Sequence, residues 1–450
     1  MGMVYLALFA LAEILLVVLT FTKFQEKAAW RKNKVIIRAA ETVILLGIIL
    51  LPTVYLKWRF FAALGLVAVR FIFAGVMWLI NHKKAEGMKK KGWSVVNCVV
   101  SVIFVGVALL PSVLFANYNG LPTTGSYKVA ETSAILVDES RNDTFENDGS
   151  FREVPVHFYY PENADGEYPL IVFSHGAFGY YKSNFSTYAE LASNGYIVAA
   201  LDHPHHSFFT KDTDGKTIIV DNSFINDVMK INEETDDKTV YELSQSWMKV
   251  RSEDESFVLD TIEAAKSNGK LDSAWHTDEK DTVLDIISHT DTEKIGLIGH
   301  SLGGASSTYL GRTRNDIDTV IVLDGTMLGE IKDVKDGKNV YYEEPYPVPL
   351  LDFGKKNDYN LLEQYKNEHG YPYVNEYVAE KALDCKTVVF EKAEHMDFTD
   401  LPMFSPFLGS MLGHGDVDSE KMMTDVNGVV LDWFNYYLKG EGVLDIQAQY

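Results

Sequence analysis

The chain has 450 residues, enough for two or three units, and its 47% hydrophobic and 12% aromatic content excludes a disordered polymer. Its net charge of −22 is unevenly spread: residues 1–116 carry 14 basic and 4 acidic side chains, and the remainder carries 27 basic and 59 acidic. So acidic a remainder argues against nucleic acid as a partner, because that binding needs lysine and arginine to displace counterions. The two cysteines, Cys98 and Cys385, lie in these dissimilar regions, which argues against a disulfide and leaves no cysteine-based metal site.

Four apolar stretches open the chain, at about 3–22, 35–56, 60–80 and 94–116. Each is near the ~20 residues a helix needs to cross a bilayer. Glu13, Arg38, Glu41 and Arg70 are the charges inside them. Arg38, near a span end, is expected to snorkel, and Glu13 and Glu41 to pair within the bundle. The first connector holds Lys23, Lys27, Arg31, Lys32 and Lys34, and the third holds Lys83, Lys84, Lys89, Lys90 and Lys91. The positive-inside rule puts both in the cytoplasm, with the N-terminus and everything after residue 116 outside. No small-residue cleavage site follows the first stretch, so it reads as a retained helix rather than a signal peptide.

Residues 117–126, "NYNGLPTTGS", read as a linker, and 127–450 as one α/β domain. "REVPVHFYYP" alternates as a strand should. "YPLIVFSHG", "YIVAALDHP", "KIGLIGHS", "DTVIVLDG", "YPVPLLDFG" and "KTVVFEKAEH" are short apolar runs of the kind found in strands buried on both faces. Helical patterns in "NFSTYAELASNG", "SFVLDTIEAAKSNG", "LGGASSTYLGR" and "VNGVVLDWFNYYL" come between or after them, which predicts a mostly parallel sheet covered on both sides. Residues of about 207–250 form an insertion. It comprises a hairpin turning at Asp214-Gly215 and two amphipathic helices that serve as a lid or as core packing. Arg251 and Asp254 in "RSEDESF" read as an ion pair or a helix start.

The most informative segment is "GHSLGG". Gly299, Ser301 and Gly303 give G-x-S-x-G at a strand-to-helix junction. A nucleophile elbow needs small flanking residues, because its turn is too tight for side chains there, and it presents the serine oxygen beside free helix-terminal amides. The serine needs a base and an orienting acid, in the chain order serine, acid, histidine. Of the histidines that follow, His369 lies in a polar helical stretch and His414 in a glycine loop. His395 sits where a strand hands over to a loop and is the expected base. Asp324 and Asp358 compete for the acid, with Asp352 third, and position alone does not choose. The oxyanion donors are expected to be the amides of Leu302 and of Ala177 in "SHGAFG". "LDHPHHS" groups Asp202, His203, His205 and His206 as a pocket-shaping loop or, less suitably, a metal site, since adjacent histidines rarely point the same way.

Taken in order, "SHGAFG", "LDHPHHS", "GHSLGG", "LDGTM" and "EHMDFTD" resemble the platelet-activating-factor acetylhydrolase (plasma/isoform II) branch of the α/β hydrolases, over about residues 127–440. The resemblance implies an α/β-hydrolase fold, carboxylic ester hydrolysis, no metal or other cofactor, and Asp324 as the acid. The four-span N-terminus is outside the family's catalytic pattern, so the eukaryotic lipid substrate is not implied. The expectation is a membrane-anchored serine hydrolase acting on a small-molecule or lipid ester. Its triad is Ser301, His395 and Asp324, and its domain faces out of the cytoplasm. The alternatives are a non-catalytic receptor on the same scaffold, or a peptidase or thioesterase using the same triad.

Overall fold

The computed structural model describes every residue except 23–25, 82–89, 164 and 234–235, with the backbone alone at 28, 232–233 and 357–360. Lys23, Lys83, Lys84 and Lys89 of the basic connectors therefore lie outside the described residues. The chain divides into two compact units: Met1–Gly120 with Pro402–Met411, and Leu121–Leu401 with Leu412–Tyr450.

Among the described residues of the first unit, three helices are long and apolar enough to cross a membrane: Gly2–Thr22, Lys57–Asn81 and Lys91–Ala108. Their outer faces are apolar, with Leu11, Val69, Ile72 and Ile103 more than half exposed. The expected second span, 35–56, overlaps a helix over Lys27–Ile49 that breaks before Pro52. Its N-terminal half carries Lys27, Arg31, Lys32, Lys34 and Arg38, so it is more polar than the other three. Tyr5, Phe9, Leu45, Phe60, Val67 and Val105 form the core of this unit. Arg38 does not snorkel. It is buried, pairs with Glu13, and meets Glu41 at 2.7 Å. Arg70 pairs with the same Glu13, so the two acids bond to arginines rather than to each other. Pro402–Met411 joins this unit through local bonds: Ala116 N donates to Phe404 O at 2.9 Å, Ser405 Oγ donates to Leu114 O at 2.7 Å, and the Phe115 and Phe404 rings are 5.1 Å apart.

The second unit contains thirteen strands among the described residues. They are β1 (Val129–Asn142), β2 (Phe151–Pro161), β3 (Tyr168–Ser174), β4 (Ile197–Leu201), β5 (Phe209–Lys211), β6 (Thr217–Ile219), β7 (Trp275–His276), β8 (Thr290–His300), β9 (Thr319–Leu323), β10 (Ile331–Lys335), β11 (Lys338–Tyr341), β12 (Leu350–Lys355) and β13 (Cys385–Phe390). Nine make one sheet in the order β13-β12-β9-β8-β3-β4-β2-β1-β7. From β13 to β4 every pairing is parallel, and β2, β1 and β7 continue antiparallel. Strand alternation sends Leu170, Val172, Leu297, Val320 and Val322 to one face, under Val258, Leu259 and Ile262 of the helix Asp237–Asn268. Ile171, Phe173, Ile298, Ile321 and Leu323 go to the other, under Val426, Val430, Trp433 and Phe434 of the helix Ser419–Phe434. Both faces are covered, as a parallel sheet requires.

The helix Asp237–Asn268 joins what the sequence suggests are two helices. No glycine or proline interrupts it, and it ends at Gly269, whose φ of 62° stops the helix in the left-handed region. Arg251 and Asp254 are thus mid-helix rather than at a start.

Candidate active site

Parallel strands carry their C-terminal ends to one edge of the sheet, and the candidate residues collect there. Strand β8 ends at His300, and the helix Leu302–Thr313 begins immediately after Ser301. Ser301 has φ 53° and ψ −123°, a conformation that costs a non-glycine residue on the order of 1–3 kcal/mol. The glycines explain why this turn is reachable. A Cβ on Gly299 would lie 2.2 Å from Gly303 C, and one on Gly303 would lie 2.0 Å from Ser174 O. The first glycine lets the turn close, and the second lets the helix approach the loop that follows β3. A Cβ on Gly176 in that loop would come within 3.2 Å of Ser301 Cβ. The stretch 174–179 therefore lies against the serine.

Asp324 directly follows β9, beside β8, and takes φ 48°. Its Oδ2 is 2.6 Å from His395 Nδ1, with the carboxylate nearly buried and the imidazole about one-third exposed. Burial pushes the Asp324 carboxyl up, but the hydrogen bond and charge of His395 outweigh it and hold it below its ordinary value. His395 opens a 3₁₀ turn over His395–Phe398, fixed by a capping box between Glu394 and Asp397. The other acids and histidines are engaged elsewhere. Asp352 accepts from Asn375 Nδ2 at 3.2 Å, His414 bonds Asp397, and His369 stacks on Tyr365. The Asp358 side chain lies outside the described residues.

Leu302 is the first residue of its helix, so its amide has no carbonyl one turn back. Ala177 packs in the same apolar cluster as Leu302, with Phe224, Trp247 and Met248. Those three residues come from the insertion and are almost fully buried against the elbow. A cavity of about 400 Å³ opens nearby, with a lining that includes Asp324, Asp352 and Tyr373 but neither Ser301 nor His395.

Spacing gave no sign of His300, the variable residue inside G-x-S-x-G. Its Nε2 donates to His395 O at 3.1 Å, and its ring lies 4.6 Å from the His395 ring. Burial, then the nearby His395, drive its pKa down to about 3, so it stays neutral. The "LDHPHHS" segment divides its residues among separate partners. Asp202 accepts from Tyr181 N at 2.8 Å and Thr210 Oγ1 at 3.0 Å, His203 Nδ1 meets Asp254 at 3.0 Å, and His206 stacks on Phe224. Among the described residues, no group of three His, Cys, Asp or Glu side chains is placed to hold a metal. Asp254 also takes Arg152 at 2.7 Å, while Arg251 turns to backbone carbonyls, so the expected Arg251–Asp254 pair is replaced by two separate sets of bonds.

Comparison with known proteins adds independent support for the fold. A ferulic acid esterase from Streptomyces cinnamoneus superimposes with a TM-score of 0.53 over 72% of this chain and 95% of its own, at 20% identity. That likeness, with the strand order above, gives the α/β-hydrolase fold. The platelet-activating factor acetylhydrolase of Cavia porcellus is 26% identical over 296 residues, 64% of this chain and 61% of that protein. Its counterpart from Canis lupus familiaris is 31% identical over 159 residues, 34% of each chain. This chain thus spans at most about three-fifths of these relatives. The sequence profile described as "Platelet-activating factor acetylhydrolase, isoform II" matches residues 146–441, about two-thirds of the chain. The chain belongs to the platelet-activating factor acetylhydrolase isoform II family.

Proposed function

We propose that this protein is a membrane-anchored serine hydrolase of carboxylic esters. The observation that carries the reading is the Asp324–His395 hydrogen bond of 2.6 Å beside a serine held in a strained elbow. In this mechanism His395 Nε2 takes the proton from Ser301 Oγ as the oxygen attacks the ester carbonyl. Asp324 fixes the imidazole tautomer through Nδ1 and balances the imidazolium that forms. The amides of Leu302 and Ala177 hold the oxyanion, and the apolar shell of Phe224, Trp247 and Met248 keeps water from weakening those bonds. His395 then gives its proton to the leaving alcohol. A water molecule, deprotonated by the same imidazole, attacks the acyl-enzyme, releases the acid and restores Ser301.

The relatives named as acetylhydrolases and the neighbour named as an esterase favour this chemistry over peptide cleavage. The apolar helices supply the anchor. With the helix Lys27–Ile49 counted as a fourth crossing, both basic connectors lie on one side, and the positive-inside rule favours a catalytic domain outside the cytoplasm. One experiment tests the chemistry and the orientation together: a membrane-impermeant fluorophosphonate on intact cells, with peptide mapping. Labelling at Ser301 that vanishes in Ser301→Ala and His395→Ala is the expected result. Labelling only after lysis would reverse the orientation. No labelling of the folded protein in detergent would overturn the hydrolase reading.

A further inference from the structure

The hydrolase reading needs the Ala177 amide to point at the oxyanion, and the structure contains a device that sets this direction. Every peptide bond described is trans, so the Ala177 N–H is antiparallel to the Gly176 carbonyl across one rigid plane. Whatever holds that carbonyl therefore aims that amide. Three donors hold it: His175 Nδ1 at 2.6 Å, the Gly179 amide at 3.1 Å and Arg251 Nη2 at 3.2 Å. Arg251 Nη1 also donates to the preceding carbonyl, that of His175. Among the described residues the Ala177 amide itself donates to no protein acceptor.

Arg251 is an unusual residue to find there. Its side chain is fully buried, in the middle of the helix Asp237–Asn268. Among the described residues it makes no ion pair within 4 Å, although Glu255 and Asp254 lend it electrostatic support. Burial draws its pKa down only to about 9, so it is charged at neutral pH. A buried guanidinium is costly unless its donors are used, and its two terminal nitrogens serve consecutive carbonyls of one loop. Turning the 176–177 plane over would aim the Ala177 N–H at a guanidinium and an imidazole N–H. It would also place the Gly176 oxygen where the oxyanion belongs.

We infer that Arg251 is a positioning residue: by holding the Gly176 carbonyl together with His175 and the Gly179 amide, and the His175 carbonyl before it, it keeps the Ala177 amide turned toward the face where Ser301 lies, so the oxyanion site is formed before substrate arrives. This rests on the serine hydrolase reading above.

The test uses the full-length protein in detergent, with p-nitrophenyl acetate and a ¹³C-labelled acyl group followed by infrared spectroscopy. Arg251→Met should lower kcat about 10²-fold, the loss typical of removing one oxyanion donor, and leave KM within threefold. The acyl carbonyl band of the variant's acyl-enzyme should rise in frequency, a signature that loosened packing alone would not give. Arg251→Lys, which keeps one charged donor, should fall between. Unchanged kcat and an unchanged band in a folded Arg251→Met protein would overturn the inference and leave the hydrolase reading intact. If neither variant folds, the wild-type acyl-enzyme decides: one low-frequency band supports a preset donor pair, and a band at the free-ester position overturns it. A wild-type protein that forms no acyl-enzyme at Ser301 would remove the hydrolase reading, and this inference with it.

Discussion

The two units both bury charge, and they use it differently. In the helical unit, Glu13, Arg38, Glu41 and Arg70 bond to one another side chain to side chain. In the hydrolase unit, Arg152 and Asp254 pair, but the neighbouring Arg251 bonds backbone, and Asp324 bonds the histidine of the candidate site. Charges that satisfy only each other hold helices in register. Charges bonded to a loop or an imidazole also fix the direction of a group that does chemistry. The first kind should therefore govern stability alone, and the second should govern rate.

Replacing Asp324 with asparagine gives the largest expected effect. It should cut kcat for ester hydrolysis by roughly 10⁴-fold, because His395 loses its tautomer and its counter-charge. Thermal melting should move little, and a rate loss matched by a melting loss would erase the distinction. Arg38→Met is the converse experiment. Leaving Glu41 buried without its arginine, while Glu13 keeps Arg70, should cost the helical unit roughly 3–5 kcal/mol in detergent unfolding, with kcat per folded molecule unchanged within twofold. A third kind of buried charge sharpens the contrast. Asp400 accepts from Ser186 N at 2.7 Å and Ser186 Oγ at 2.6 Å, and burial raises its pKa from 3.8 to about 7. The native protein then keeps a proton that the unfolded chain releases. Its contribution to stability is greatest below pH 3.8 and is lost as pH rises toward about 7. Asp400→Asn should abolish that slope, with its Tm advantage widening by roughly 2–4 °C between pH 4 and 7. A constant difference across that range would show that the carboxyl is ionised throughout.

Much of this was legible in the sequence, for reasons that are local. Six apolar runs are strands because a parallel sheet buries both faces, so each becomes a compact hydrophobic block. The elbow announces itself because Gly299 and Gly303 are demanded by contacts under 2.5 Å. Other features depend on distant partners. Strand β1 turns Thr132, Ala134, Leu136 and Asp138 inward, a set with one large apolar residue, so its alternation is faint. The residues alone left Asp324, Asp352 and Asp358 open. What distinguishes Asp324 is a left-handed φ next to Gly325, which no composition reveals, and a histidine 71 positions later. Charged neighbours in the sequence make Arg251 look like part of an ion pair or a helix start. Its actual partners are two carbonyls about 75 residues earlier, brought near by the sheet.

Pro402–Met411 begins seven residues after His395 yet packs with the helical unit, where Phe404 meets Phe115 and Ala116. The usual route to a soluble enzyme, deleting the apolar N-terminus, would strip that segment of its partners. Phe404 would then lose its cover beside Phe407 and Met411, which are already more than half exposed, just past the histidine. A fragment starting near residue 121 should therefore aggregate unless this segment is also made polar, and engineering a secreted form means redesigning two places in the sequence rather than one.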